Sequence, residues 1–161
     1  MKPRRKVLPS PNDPPLELRS WHDNAVHAFH LTDVNPEWGT STLTLDIDHI
    51  IEWIKKPQTY EFRIAPALLR FYGVFALKFA LDYSIGPIAV TPFQIDRIER
   101  SPVDNPNADS SSIQSFRWTI PVNSPRGELT FEANDWSLAF TGPAVLSKSQ
   151  VLTRPTSHVD V

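Results

Sequence analysis

The strongest constraint on the fold is the alternation of side-chain types in residues 43–54. In an extended strand, successive side chains point to opposite faces. One face therefore carries Leu43, Leu45, Ile47, His49, Ile51 and Trp53, and the other carries Thr44, Asp46, Asp48, Ile50, Glu52 and Ile54. This separation is typical of an antiparallel strand with one face in the core and one in water. The pattern therefore predicts that Asp46, Asp48 and Glu52 are exposed to solvent.

The same two-residue period recurs along most of the chain. It places Phe75, Leu77, Phe79 and Leu81 on one face of a later strand, and Phe116, Trp118, Ile120 and Val122 on one face of another. Residues 16–21 and 25–31 resemble an opening pair of strands with 22–24 as their turn. The sequence predicts an all-β fold, either an antiparallel sandwich or a strongly curved sheet of about eight to ten strands, with little helix.

Strand pairing can be predicted at two places. A turn at 56–59 leads from the first strand into 60–64, and charge pairing favours the register that sets Glu52 against Arg63, Trp53 against Phe62 and Ile51 against Ile64. Pro66 is expected to interrupt the second strand. Asn134 and Asp135 are expected to turn a later hairpin, with Phe131 opposite Leu138 and Leu129 opposite Phe140.

The length of 161 residues fits one domain with a real core. Residues 1–15 contain five prolines and four basic residues, which predicts a flexible arm. Residues 148–161 lack sustained periodicity, and we expect a loosely attached C-terminal tail. The single β domain is therefore predicted to span residues 16–147.

Composition excludes several classes of function. The chain has no cysteine, which rules out disulfides and cysteine-bound zinc and fits a reducing cytoplasm. The formal net charge is −2, so no global field favours nucleic acid or an anionic membrane as a partner. Prolines occupy the place where an export signal would need an apolar core, and no stretch is apolar enough to span a membrane. A cytoplasmic protein is expected.

One region is dense in residues that can bind metals or transfer protons, namely His22, Asp23, His27, His30, Asp46, Asp48 and His49. A catalytic metal needs about three such ligands that converge on one point. On a strand, His49 lies on the face opposite Asp46 and Asp48, so no metal site and no metal cofactor are predicted. Asp46 and Asp48 also have the spacing of paired catalytic carboxylates, although such pairs are common on ordinary strands. A metal-assisted or carboxylate-based hydrolase is therefore kept as an alternative.

No nucleophile motif or glycine-rich phosphate loop is present, and no catalytic residue is predicted. The five tryptophans are able to line an aromatic groove for a sugar or a peptide, but at strand spacing they indicate core positions.

Three short motifs, in this order, carry a family resemblance: Trp21-His22-Asp23, Leu45-Asp46-Ile47-Asp48 with Trp53, and Ala65-Pro66-Ala67-Leu68 with Phe71. With these motifs, residues 16–140 resemble a family of small uncharacterised bacterial proteins. The resemblance implies a bacterial, stand-alone, single-domain protein and carries no activity. Some small bacterial β proteins of this general kind are immunity proteins that bind a toxin, which is an analogy of fold alone.

The absence of a recognisable reaction centre favours a non-enzymatic protein-binding module, immunity-like by analogy, that meets a protein partner through its acidic strand face. The candidate binding residues are His22, Asp23, Asp46, Asp48 and Glu52. No cofactor is expected. A structural subunit of a homo-oligomer is the third alternative, and the sequence does not specify the oligomeric state.

Overall fold

The computed structural model describes residues 15–84, 92–104, 106 and 112–154. Within these residues the chain forms a 3₁₀ helix at Leu16–Leu18 and nine strands. The strands are β1 (Ala25–Asn35), β2 (Thr40–Lys55), β3 (Tyr60–Leu81), β4 (Phe93–Ile95), β5 (Glu99–Pro102), β6 (Phe116–Ser124), β7 (Arg126–Ala133), β8 (Asp135–Phe140) and β9 (Val145–Ser147). All pair antiparallel. The predicted all-β antiparallel fold is confirmed.

The sheet curves until it closes on itself. Strand β2 pairs with both β1 and β3, and the path from β1 continues through β4, β6 and β7 back to β3. The remaining strands extend this ring, since β5 pairs with β6 while β8 and β9 pair with β3. Of the two predicted architectures, the strongly curved sheet is therefore the correct one.

One large cluster of apolar side chains lies inside the ring, and one small cluster lies on the face of β2 and β3 that carries Asp48. Trp118, Phe71 and Phe131 are the largest fully buried side chains of the first cluster. The Nε1–H of Trp118 donates to the Ala133 carbonyl at 3.1 Å, so this buried polar group is satisfied. The second cluster consists of Ile50, Phe62 and Ile64, against which Trp53 and Leu152 pack.

The predicted β2–β3 register is correct at two of its three pairs. Glu52 lies opposite Arg63 and Trp53 lies opposite Phe62, but Ile64 lies opposite Ile50 instead of Ile51. A bulge between Ile50 and Glu52 adds one unpaired residue and thereby reverses the faces. Ile50 precedes the bulge and keeps the face of Asp48, where Leu152 packs on its cluster and it is fully buried, whereas Ile51 at the bulge is 41% exposed.

Strand β3 is longer than the sequence predicts. Pro66 does not interrupt it, because this residue lies opposite Asp48 within the β2–β3 ladder and the strand continues to Leu81. Beyond Pro66, Gly73 and Ala76 adopt positive φ angles of 65° and 53°, where the pairing partner on one side changes from β8 to β7.

The predicted β7–β8 hairpin is wrong. Both strands pair with β3, one after the other: Phe75 lies opposite Glu132 on β7, and Tyr72 lies opposite Asp135 on β8. Between them, the Asn134 amide donates to the Tyr72 carbonyl at 3.2 Å. The chain thus continues along β3 at Asn134 instead of reversing, since the long strand offers a further edge for pairing.

The segment before β1 also differs from the prediction. Residues 16–18 form the 3₁₀ helix and not a strand, and the buried Trp21 donates from Nε1 to the Leu16 carbonyl at 2.9 Å. The predicted turns are present at 22–23, where Asp23 has φ +61°, and at 56–59, where the Lys56 amide donates to the Thr59 carbonyl.

The predicted domain boundaries stay predictions. Residues 1–14 of the arm and 155–161 of the tail lie outside the described residues. In the part of the chain that the structure describes, no helix has the length and apolar character needed to cross a membrane.

Candidate functional site

Asp48 is buried, which contradicts its predicted position on a solvated face. Its side chain has no exposed surface. Oδ2 accepts a hydrogen bond from the Leu152 amide at 2.8 Å and lies 2.6 Å from Nε2 of His27, while Oδ1 accepts from Nη2 of Arg154 at 2.8 Å. The reason for the error is tertiary, because residues that follow β9 cross this face and cover it.

The covering residues, 148–154, are called the C-terminal strap below. Gln150 donates from Nε2 to Oδ2 of Asp23 at 3.0 Å, and the Leu152 side chain packs on the small apolar cluster. Arg154 then reaches β2 with one nitrogen, Nη2, which lies 2.9 Å from Oδ1 of Asp46, 3.1 Å from the Ile47 carbonyl oxygen and 2.8 Å from Oδ1 of Asp48. The strap therefore links Asp23 to Asp46 and Asp48 across the sheet.

His22 and Asp23 stabilise the turn before β1. The Oδ1 atom of Asp23 accepts from Nδ2 of Asn123 at 2.8 Å, and its Oδ2 lies 3.1 Å from Nδ1 of His22. Nε2 of His22 lies 3.6 Å from Oδ1 of Asp96. The His22 side chain is 58% exposed. These contacts tie the turn to β6 and to the strap.

Glu52 stands apart from the other four predicted site residues. It lies 3.3 Å from Nε of Arg63, and both side chains are more than half exposed. Exposed pairs of this kind contribute about 0–1 kcal/mol. The structure thus joins Asp46 with Asp48 and His22 with Asp23, connects the two pairs through the strap, and leaves Glu52 outside.

The geometry does not assemble the metal site that the hydrolase alternative needs. Among the described residues, no group of three or more His, Cys, Asp or Glu side chains is arranged to hold a metal ion. Asp46 and Asp48 do lie side by side, but both are engaged by Arg154. Their arrangement is that of a structural ion-pair network.

His49 belongs to the core between the turn and the sheet. Its side chain is buried, its ring lies 5.0 Å from that of Trp21, and its Nδ1 lies 2.9 Å from Oδ1 of Asn24. Burial, and to a smaller extent the nearby charge of Arg19, lowers the pKa of His49 from 6.5 to about 4. The imidazole is therefore neutral at pH 7, and Nδ1–H donates to Asn24.

The end of the β1–β2 hairpin, residues 29–39, exposes several large apolar side chains and is called the hairpin tip below. Every residue of the tip is exposed. Trp38 is 73% exposed and Val34 68%, while Phe29 and Leu31 are each 46% exposed. Sequence reasoning missed this surface, although Trp38 follows the turn signal Asn35-Pro36 and precedes Gly39.

The tip has a defined conformation. Oδ1 of Asn35 accepts from the amides of Glu37 at 3.0 Å and Trp38 at 3.3 Å, and Gly39 takes a φ of 64° that favours glycine. At the base of the tip, the Phe29 ring stacks on that of Phe79 with centroids 4.8 Å apart. Trp38 is thus presented on an ordered turn, which lowers the entropy cost of using it in binding.

An open groove of about 440 Å³ borders the strap. Trp53, Tyr60 and Phe62 line one side, and strap residues Lys148, Ser149 and Gln150 line the other. Trp53 thus lines a groove, whereas Trp21 and Trp118 are core residues.

Comparison with protein-family models found none that matches the chain, and a search of curated proteins found no match. The resemblance to small bacterial proteins therefore stays a prediction.

Proposed function

We propose that the protein is a non-enzymatic protein-binding module that inserts its hairpin tip into a partner. The observation that supports this most directly is the exposure of Trp38, Val34, Leu31 and Phe29 on one ordered projection. Soluble proteins seldom expose large apolar side chains in a group without a binding role. Tryptophan is also among the residues that contribute most to protein–protein affinity.

The charge of the tip indicates the kind of partner. Residues 29–39 contain Asp33 and Glu37 but no lysine or arginine. An apolar projection with acidic flanks complements an apolar cleft with a basic rim, and such complementarity speeds association. We therefore assign the main partner-binding surface to the hairpin tip and not to the acidic face of β2, which the sequence favoured.

The engaged state of Asp46 and Asp48 supports binding over hydrolysis. A catalytic carboxylate pair needs oxygens that reach a substrate, whereas both oxygens of Asp48 already have partners within the chain. The proposal extends to an immunity-like protein of the bacterial cytoplasm, for which the support is the motif resemblance and the lack of cysteine.

The test compares two exposed apolar positions in capture experiments. Trp38→Ala removes the anchor of the tip, and the control Leu146→Ala removes a side chain that is 62% exposed on β9. Tagged wild-type protein and both variants are used to capture partners from the source cell at low salt. We expect one band that is lost with Trp38→Ala, retained with Leu146→Ala and weakened by added salt.

Equal capture by the two variants, in spite of unchanged folding, would contradict a role for the tip. Sedimentation of the same proteins addresses the homo-oligomer alternative. A wild-type dimer that Trp38→Ala converts to a monomer would assign the tip to self-association instead of to a different partner.

A further inference from the structure

The contact between Arg154 and β2 is an imperfect match of donors to acceptors. Nη2 carries two hydrogens but faces three acceptor oxygens at 2.8–3.1 Å, from Asp46, Ile47 and Asp48. The buried Nε–H finds no acceptor among the described residues. A guanidinium usually binds carboxylates through two nitrogens in parallel. Three acceptors around one nitrogen instead suit a primary ammonium, which has three hydrogens.

Apart from Arg154, the strap is held by Gln150, which donates to Asp23, and by Leu152. Residues 148–154 form no strand, and within the described chain none of their amides donates to a backbone carbonyl outside the strap. The Leu152 amide donates to the carboxylate of Asp48. Leu152 supplies the apolar anchor by packing on the small cluster of Ile50, Phe62 and Ile64. Leu152 and Arg154, two residues apart, thus seat the end of the strap on β2.

We propose that the strap is an autoinhibitory occupant of a cleft that receives a lysine-bearing segment of the partner. The lysine ammonium replaces Nη2 of Arg154, and a preceding apolar side chain replaces Leu152 over the small cluster. The groove beside Trp53 and Tyr60 continues the cleft. Negative charge on Asp46 and Asp48 complements this occupant. The inference rests on the proposed function, because it assigns the regulation and a second contact of the same binding module.

The test measures binding of a labelled peptide by fluorescence anisotropy. The probe is Lys-Ser-Gln-Val-Leu-Thr-Lys, which copies residues 148–154 with lysine at the last position. Wild-type protein binds it weakly because the strap competes from within the chain. Arg154→Gln is expected to bind the peptide about tenfold tighter. This gain is expected if the strap leaves the cleft free in roughly a tenth of wild-type molecules and the substitution frees it in most molecules.

The matched control is Arg63→Gln, which removes the same charge from the exposed pair with Glu52 and is expected to bind like the wild type. Peptides that end in arginine or glutamine are expected to bind Arg154→Gln less tightly than the lysine peptide. Equal affinity of Arg154→Gln and wild type, or a preference for arginine or glutamine, would overturn the inference.

A second variant keeps the test decisive if Arg154→Gln does not fold. Leu152→Ala weakens the apolar anchor while Arg154 still faces the two aspartates, and it should also bind the lysine peptide more tightly than wild type. Unchanged binding would refute the strap's role. Trp38→Ala is expected to bind the peptide like wild type, so failure of the strap and failure of the hairpin tip give different results.

Discussion

Asp46 and Asp48 are two residues apart on β2 but differ in environment. Asp46 is about a third exposed and, among the described residues, pairs with Arg154, whereas Asp48 is fully buried and has three partners from two segments of the chain, β1 and the strap. The alternating pattern predicts that both residues are exposed to solvent. It contains no information about the strap, which lies more than a hundred residues later and covers only one of them completely.

Substitution of the two aspartates separates these environments. Asp48→Asn should lower the free energy of unfolding by about 3 kcal/mol or more, because it breaks a buried ionic network and leaves its partners poorly satisfied. Asp46→Asn should cost less than about 1 kcal/mol. Urea unfolding of both variants is the measurement. Equal small losses of stability would indicate that Asp48 is exposed to solvent, as the sequence predicts.

His49 predicts a pH dependence of stability. Its pKa is lowered by burial to about 4 in the folded protein, whereas the unfolded chain binds a proton near pH 6.5. The unfolded state therefore gains protons first as the pH falls, so stability is lost between about pH 6.5 and 4 and this contribution is constant below. The full loss is roughly 3 kcal/mol.

The dependence is isolated by comparison with His49→Gln. Chemical unfolding at pH 7 and at about pH 4.5 should show a smaller loss of stability for this variant than for wild type. His30→Gln, at an exposed position on the hairpin tip, is the control and should lose as much as wild type. A His49→Gln protein with the full wild-type loss would show that His49 does not stay neutral.

At the scale of the strand, sequence patterns predict pairs correctly until the backbone departs from regular geometry. The Glu52–Arg63 and Trp53–Phe62 pairs lie where β2 and β3 are regular, and they are as expected. The pair of Ile51 with Ile64 fails because a bulge adds one residue. A bulge has no marker in these side chains, so local charge and apolar matching are unable to locate it.

Gly73 tests the point where β3 changes its pairing partner from β8 to β7, and Gly39 supplies a matched control. Both have φ angles near +65°, but a Cβ at Gly73 would lie 3.0 Å from Nδ2 of Asn134, whereas a Cβ at Gly39 would meet nothing within 4 Å. Gly39→Ala should therefore cost only the left-handed backbone strain, about 1–2 kcal/mol. Gly73→Ala should cost more in thermal or urea unfolding, since crowding is added. An equal loss of stability at both sites would mean that the Asn134 side chain moves away from the new Cβ at no cost.

For the whole molecule, the sequence predicts the class of fold but not its closure. The two-residue period along most strands is sufficient to indicate an antiparallel β protein with a curved sheet or a sandwich. Closure depends on β4, whose three residues join β1 to β6. So short a strand has no recognisable period. The strap has none either, although it forms much of the candidate site.

The candidate binding residues also divide into positions that the local sequence predicts and positions that it does not. His22 and Asp23 lie in the turn that the sequence indicates, because turn chemistry is local. The exposure of Trp38 depends on how far the β1–β2 hairpin projects beyond its neighbours. The strands that pair with this hairpin are distant in sequence, and they determine how far it projects. The pattern of a single strand therefore does not predict that Trp38 is exposed.

Amide hydrogen exchange of the protein with and without its captured partner tests the central claim most directly. If the hairpin tip is the main contact, exchange of residues 29–39 should slow on binding, while residues 145–147 of β9 remain unchanged. Protection confined to β8 and β9, with no slowing at residues 29–39, would contradict the claim that this protein binds through its hairpin tip.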